Sequence, residues 1–272
     1  MTDQERWLTV CREAADAVAR ELAALPTRLE REPVVGDGEG GDETTAIDAA
    51  AEHTVVARLE RLHREGVDFT LVSEELGGRR FGAGADDIYV VLDPIDGSMN
   101  AKRGIPFFSV SIAVAGGPTM NDVFLGFVRD FGTNEEWTGC RGNGAFLNGQ
   151  PLEGPGPKAG VEILALEATT TERVAAAAPA MVGFAERTRV MGSLALSLCH
   201  LAAGRVDAVC SLKPTRSVDI AAAQLLVRER GFAIDLPESG FVDAPLDLAA
   251  RSRVVAAADG EICARLFAAL GE

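Results

Sequence analysis

The chain has 272 residues, of which 47% are hydrophobic but only 6% aromatic, so aliphatic side chains must fill its core. With 26 Lys and Arg against 41 Asp and Glu, the net charge of -15 disfavours binding to nucleic acid or anionic membranes, where cations must meet phosphates. Five scattered cysteines without a C-x-x-C pair, a charged start and no long apolar run exclude a disulfide framework, a zinc site and a spanning helix, and lead us to expect a soluble cytoplasmic protein.

The length allows one large α/β unit or two intimately packed ones. Thr2-x-x-Glu5 resembles a capping box opening a helix with Trp7, Leu8, Cys11, Ala15, Val18 and Leu22 at helical spacing. Gly36 to Asp42 (GDGEGGD) is expected to be an irregular, mobile loop. A second helix is predicted from near Thr45 to about His63. Two short apolar runs follow, Phe69 to Val72 and Ile88 to Leu92, each ending in acidic residues. Phe107 to Ala115 and Val123 to Val128 are predicted as adjacent strands joined through Gly116-Gly117-Pro118.

Pro151 to Gly160, rich in Pro and Gly, divides the chain into an α+β half (1–150) and an α/β half (151–272). In the second half, strands at Ile163 to Leu166, Val206 to Cys210 and Val254 to Ala257 alternate with helices near Thr171–Glu186, Ser193–Ala203, Val218–Arg230 and Glu261–Leu270. There is no internal repeat.

The most informative segment is Val90-Val91-Leu92-Asp93-Pro94-Ile95-Asp96-Gly97-Ser98. An apolar strand delivers Asp93 at its carboxyl end, and Pro94 is expected to stop the ladder there. Asp93 and Asp96 can converge across a turn, Gly97 permits close backbone approach, and Ser98 can open a short helix whose N–H groups face an anion. Three further acidic segments accompany it: Asp48 after Thr45, Glu74-Glu75 after an apolar strand, and Asp219 opening an apolar helix. Taken singly, each also fits a helix cap or a solvated turn.

Together, in order and spacing, these segments resemble the inositol monophosphatase family: Asp-x-x-Thr-x-x-Asp, Glu-Glu, Asp-Pro-Ile-Asp-Gly-Thr/Ser and a Trp-Asp-like helix start. Gly142 to Gly149 (GNGAFLNG) is similar to the family's strand and turn, and Gly192-Ser193 with Leu196, then Ala203 to Ala208, to its later helix and strand. The resemblance implies a layered αβαβα sandwich of the inositol monophosphatase/fructose-bisphosphatase type and a homodimer. It also implies a Mg2+-dependent phosphomonoesterase, with two to three ions and Mn2+ as a substitute. Oxygen-only ligands agree with such hard cations.

By the same resemblance, one ion would be held by Glu74, Asp93 and the carbonyl of Ile95, and a second by Asp93, Asp96 and Asp219. A weaker third would sit near Glu74. Glu74 and the Ser98 hydroxyl would orient an attacking water, with Asp48 hydrogen-bonded to Ser98. Asp96, the backbone of Gly97 and Ser98, and Gly192 with Ser193 would lie against the substrate. Some positions depart from the family's pattern. Ser98 replaces Thr, Val218 replaces Trp, the loop GDGEGGD lacks a Lys, and the inositol-contacting Glu has no counterpart. Lys213 and Arg216 stand near that last position, either as surface charges or as partners for a second phosphate.

The implied substrates are inositol 1-phosphate and fructose 1,6-bisphosphate, followed by histidinol phosphate and 3′-phosphoadenosine 5′-phosphate; a non-catalytic phosphate-binding regulator is the alternative of another class. A haloacid-dehalogenase-type phosphatase is disfavoured because its two Asp lie two residues apart, not three with Pro between. His53, His63 and His200 are expected to serve packing or surface roles.

Overall fold

The computed structural model describes residues 3–41, 43–85, 87–153, 160–168 and 170–270. Thr2 of the expected capping box, Asp42 at the end of the acidic loop and 154–159 of the Pro/Gly-rich stretch lie outside the described residues. The first half runs α1 (Asp3–Ala24), α2 (Arg28–Arg31), β1 (Val34–Asp37), β2 (Glu43–Thr45), α3 (Ala46–Arg64), β3 (Phe69–Ser73), β4 (Gly77–Phe81), β5 (Tyr89–Asp96), α4 (Ser98–Arg103), β6 (Ser109–Ala115), β7 (Val123–Asp130), β8 (Glu136–Cys140), β9 (Gly144–Leu147) and β10 (Gln150–Pro151). It continues through β11 (Val161–Glu167), α5 (Thr171–Met181), β12 (Ala185–Arg189), α6 (Leu194–Ala202), β13 (Ala208–Ser211), β14 (Thr215–Arg216), α7 (Ser217–Glu229), β15 (Ala233–Asp235), β16 (Arg251–Ser252), β17 (Val255–Ala257) and α8 (Gly260–Leu270).

An eight-stranded sheet has the order β10-β9-β8-β7-β6-β5-β3-β4, antiparallel except where β3 runs parallel to β5. A five-stranded sheet has the order β12-β11-β13-β17-β15, with parallel pairing on both sides of β11. Side-chain alternation explains how the layers stack. On β5, Val90 and Leu92 join α1 and α3 in one core, whereas Val91 faces the opposite core with α6 and α7. On β11, Ala165 faces α6 and α7, whereas Leu164 and Leu166 face a third core with Met181 of α5 and Leu266 of α8. The result is the expected αβαβα sandwich. Both sheets are covered on both faces, which is why their central strands are continuous apolar runs. Gly126 of β7 admits α7 at close range, because a Cβ there would collide with the Ala222 carbonyl.

Several expectations are corrected. The ladder does not stop at Pro94: Asp93 pairs with Ser111, Pro94 and Ile95 bulge out, and pairing resumes between Asp96 and Ser109. The bulge absorbs the missing N–H of proline. Gly36 and Asp37, expected to be irregular, lie in β1 and pair with Thr44 and Glu43 of β2. The helix predicted to reach Glu186 ends at Met181, with Gly183 at φ +77° before the polar edge strand β12.

Candidate active site

The carboxyl ends of β3 and β5 and the first turn of α7 meet at one cleft of about 760 Å3, lined by Asp48, Glu74, Asp93, Ile95, Asp96, Gly97, Ser98, Gly192, Lys213, Arg216 and Asp219, among others. Eleven of the twelve expected site residues thus border one cavity. The twelfth, Ser193, is buried and reaches it by hydrogen bonding to Asp96.

Glu74 follows β3 and is fixed by its N–H donating to the Leu92 carbonyl at 3.3 Å. Asp93 accepts from the N–H of Ile95 at 3.0 Å, which tightens the bulge after it. Asp219, in the first turn of α7, accepts from the backbone N–H of Arg216 at 2.9 Å, a helix-cap bond that also aims its carboxylate into the cleft. Glu74, Asp93 and Asp219 each offer an oxygen within 4.8 Å of the other two. At such spacing, like charges repel by roughly 4 kcal/mol per pair at 4 Å and an effective dielectric of about 20.

That repulsion, added to burial, shifts the protonation of the site. Burial raises Glu74 to about 8, against the lowering pull of Arg216, with Asp219 raising it further. Burial pushes Asp93 well above the ordinary Asp range, reinforced by Glu74, Asp96 and Asp219. Asp96 is raised by burial to about 7, although the hydroxyl of Ser193 favours its charged form. Asp96 is oriented apart from the triad: its Oδ2 accepts from the Ser193 hydroxyl and from the N–H of Ala195 at 2.8 Å, at the start of α6.

The expected hydrogen bond between Asp48 and Ser98 is not among those of the described residues. Asp48 Oδ2 caps α3 through the N–H and hydroxyl of Thr45, while the Ser98 hydroxyl donates to the Ile95 carbonyl at 2.9 Å. Asp48 Oδ1 is buried without a hydrogen-bond partner. That buried acceptor, the oxygen-only donor set and the clustered negative charge all fit a hard divalent cation. Gly97 has φ +93°, and a Cβ there would meet the carbonyls of Gly192 and Phe107 at 3.0 and 3.1 Å, so the turn after Asp96 requires glycine.

Lys213 is exposed at the rim, but Arg216 is no surface charge. Its side chain is 12% exposed, and Nη2 lies 2.6 Å from Glu74 Oε1 and 3.4 Å from Asp219 Oδ1. The GDGEGGD loop closes over this pair: the N–H of Gly40 donates to the Glu74 carbonyl at 2.7 Å and Arg251 donates to the Gly40 carbonyl at 2.8 Å.

Two residues beside the cleft were not anticipated. Glu167 is buried at the end of β11 and accepts from the N–H of Gly192 at 2.9 Å and from the Ser197 hydroxyl at 2.7 Å; burial raises it to about 7. Its signal was present in the sequence as a carboxylate directly after an apolar strand, the pattern that marked Asp93. Arg251, on the short strand β16, carries no such signal.

Among known proteins, the family described as the inositol monophosphatase family matches residues 3–272. A fructose-1,6-bisphosphatase/inositol-1-monophosphatase of Methanothermobacter thermautotrophicus is 33% identical, over 97% of this chain and 96% of that protein. Its namesake in Archaeoglobus fulgidus is 32% identical over 94% of each. Among solved structures, an inositol monophosphatase-fructose 1,6-bisphosphatase superposes with a TM-score of 0.82 at 26% identity, covering 97% of this chain and 99% of that one.

Proposed function

The chain belongs to the inositol monophosphatase family, and from that premise we propose that it hydrolyses a small phosphorylated polyol or sugar with Mg2+ as its metal. Membership makes it a phosphoric monoester hydrolase of a metal-dependent family. Inositol 1-phosphate and fructose 1,6-bisphosphate are the substrates we infer, following the names of the relatives. The observation that carries this reading is the buried triad of Glu74, Asp93 and Asp219 at the floor of a cleft with Lys213 at its rim.

We assign Glu74, Asp93, the Ile95 carbonyl, Asp96 and Asp219 as metal ligands for two to three ions, with Mn2+ able to replace Mg2+. Ions held by these residues would supply Lewis-acid chemistry for the water and the leaving group. The chain's own groups do the rest. Glu74 and the Ser98 hydroxyl orient the attacking water. Asp48, behind them, supplies its buried Oδ1 as an acceptor for water in the cleft. The backbone N–H groups of Gly97 and Ser98 hold the phosphoryl oxygens. Gly192 and Ser193 border the alcohol portion, where Ser193 also fixes Asp96. Lys213 and Arg216 receive a second phosphate when the substrate carries one.

We also propose that residues 1–150 and 151–272 are the two organisational halves, and that the protein works as a homodimer in the cytoplasm. Among the described residues no helix is long and apolar enough to cross a membrane, and the five cysteines are buried and unpaired. Parallel kcat/KM measurements on inositol 1-phosphate, fructose 1,6-bisphosphate and histidinol phosphate, with and without Mg2+, test the reading. Turnover of either of the first two only with Mg2+ is expected. No metal-dependent phosphate release from any of the three would overturn it.

A further inference from the structure

We propose that Arg216 competes with the divalent cations for Glu74 and Asp219, so that metal loading turns this guanidinium out of the carboxylate cluster and toward Lys213 and Arg251 in the neighbouring pocket. The inference rests on the assignment of Glu74 and Asp219 as metal ligands. Arg216 Nη2 lies 2.6 Å from Glu74 Oε1 and 3.4 Å from Asp219 Oδ1, two of the three carboxylates whose oxygens gather within 4.8 Å. Guanidinium keeps its charge across the working pH range and a carboxylate accepts from it only along defined directions. An ion seated on the same oxygens takes those lone pairs and sets a dication beside a monocation. Both cannot hold the same geometry.

Two described features border the guanidinium. Behind it the glycine loop is packed so closely that a Cβ on Gly40 would meet Arg216 Nη1 at 2.8 Å and the Glu74 carbonyl at 3.1 Å. Beside it is a second pocket of about 250 Å3, where Arg216 meets Lys213 and Arg251 as well as the carboxylates of Asp96, Glu167 and Asp219. Arg216 already lines that pocket, and released from Glu74 and Asp219 it would turn its charge toward Lys213 and Arg251 there. A second acidic group on the substrate, such as the distal phosphate of a sugar bisphosphate, would then be recognised after metal loading rather than before it. Arg216 is on this account a positioning and specificity residue that couples the two events.

Calorimetric titration of the chelator-treated full chain with Mn2+ compares the wild type with Arg216→Met, Arg216→Lys and Asp219→Asn. Removing the competitor in Arg216→Met is expected to tighten Mn2+ binding by about tenfold, the scale of changes around metal ligands, while Arg216→Lys stays near the wild type. In the 15N-labelled wild type, the arginine side-chain Nε–H resonance that is missing from Arg216→Lys is expected to shift when Mg2+ is added. Equal or weaker Mn2+ binding by Arg216→Met, or an unmoved resonance at Mg2+ saturation, would overturn the exchange. If the wild type binds no Mn2+, or Asp219→Asn binds it as well as the wild type, the metal assignment fails and takes the exchange with it.

Discussion

Among the described residues, two clusters bring potential metal-binding atoms within 4.8 Å of one another: Glu74, Asp93 and Asp219 at the cleft, and Asp130, Glu135 and His200 around the end of β7. Their chemistry differs because the chain pairs the carboxylates of the second, although His200 Nε2 there is buried without a hydrogen-bond partner, and leaves the carboxylates of the first crowded together. Asp130 accepts from the N–H of Gly132 and the Thr133 hydroxyl, both at 2.7 Å. Glu135 accepts two bonds from Arg205, at 2.7 and 2.6 Å, and that guanidinium holds its carboxyl below the usual range. Burial lowers His200, whose ring packs beside Phe107 and Trp137. At the cleft, Arg216 pairs with Glu74 and Asp219 but not with Asp93 among the described contacts, and burial holds Glu74 and Asp93 up rather than down. Proximity of ligating atoms is therefore a weak sign of a metal site; uncompensated negative charge is the stronger one.

Substitution is the harshest way to break this contrast. Asp93→Asn and Asp96→Asn are expected to lower kcat/KM by on the order of 10³, the scale of losing one preorganised electrostatic group, with a retained cooperative melt. Asp130→Asn is expected to cost about 1–3 kcal/mol of stability through its lost turn bonds and to leave kcat/KM unchanged. Activity assays beside thermal melts check both, and loss of turnover in a folded Asp130→Asn variant would erase the distinction. Glu167→Gln sharpens the boundary of the site. It keeps one acceptor for Gly192 and Ser197, and a drop of about tenfold in kcat/KM is expected, mostly through KM, in steady-state kinetics.

pH supplies a gentler test. Glu74 rises from its ordinary 4.5 to about 8 and Asp96 from 3.8 to about 7 on folding. Groups raised in this way hold their protons more tightly folded than unfolded. Their stabilising contribution is full below the ordinary values and is lost as pH climbs through about 7 to 8. The melting temperature of chelator-treated protein is therefore expected to fall by a few degrees across that window, and Mg2+, which binds the ionised carboxylates, is expected to remove the decline. The smallest effect belongs to the second cluster: Glu135→Gln removes a partly exposed pair with Arg205 and is expected to cost under about 1 kcal/mol in a denaturant melt.

Much of this arrangement was legible in the sequence, for identifiable reasons. Asp93, Asp96 and Glu74 announce themselves because each follows an apolar run that has to be a buried strand. The five layers were implied by resemblance, and the alternation of Val90, Val91 and Leu92 between two cores gives them a physical basis. β4 (Gly77–Phe81) and β12 (Ala185–Arg189) were hidden because they are edge strands with polar or glycine-rich sequences, whose pairing depends on a neighbour rather than on their own pattern. The ladder beyond Pro94 depends on a bulge opposite β6, which local sequence does not encode. The sequence leaves Arg216 open between a surface charge and a partner for a second phosphate, because nothing within its own segment reports that Glu74, 142 positions earlier by sequence number (216 minus 74), lies against it.

Crystals soaked in Mn2+ and measured at the manganese absorption edge test the central claim most directly. Uncompensated carboxylates, not merely adjacent ones, should select the ion. An anomalous peak within ligand distance of Glu74, Asp93 and Asp219, with none at Asp130, Glu135 and His200, is the predicted result. An empty triad, or manganese seated at the second cluster, would contradict it.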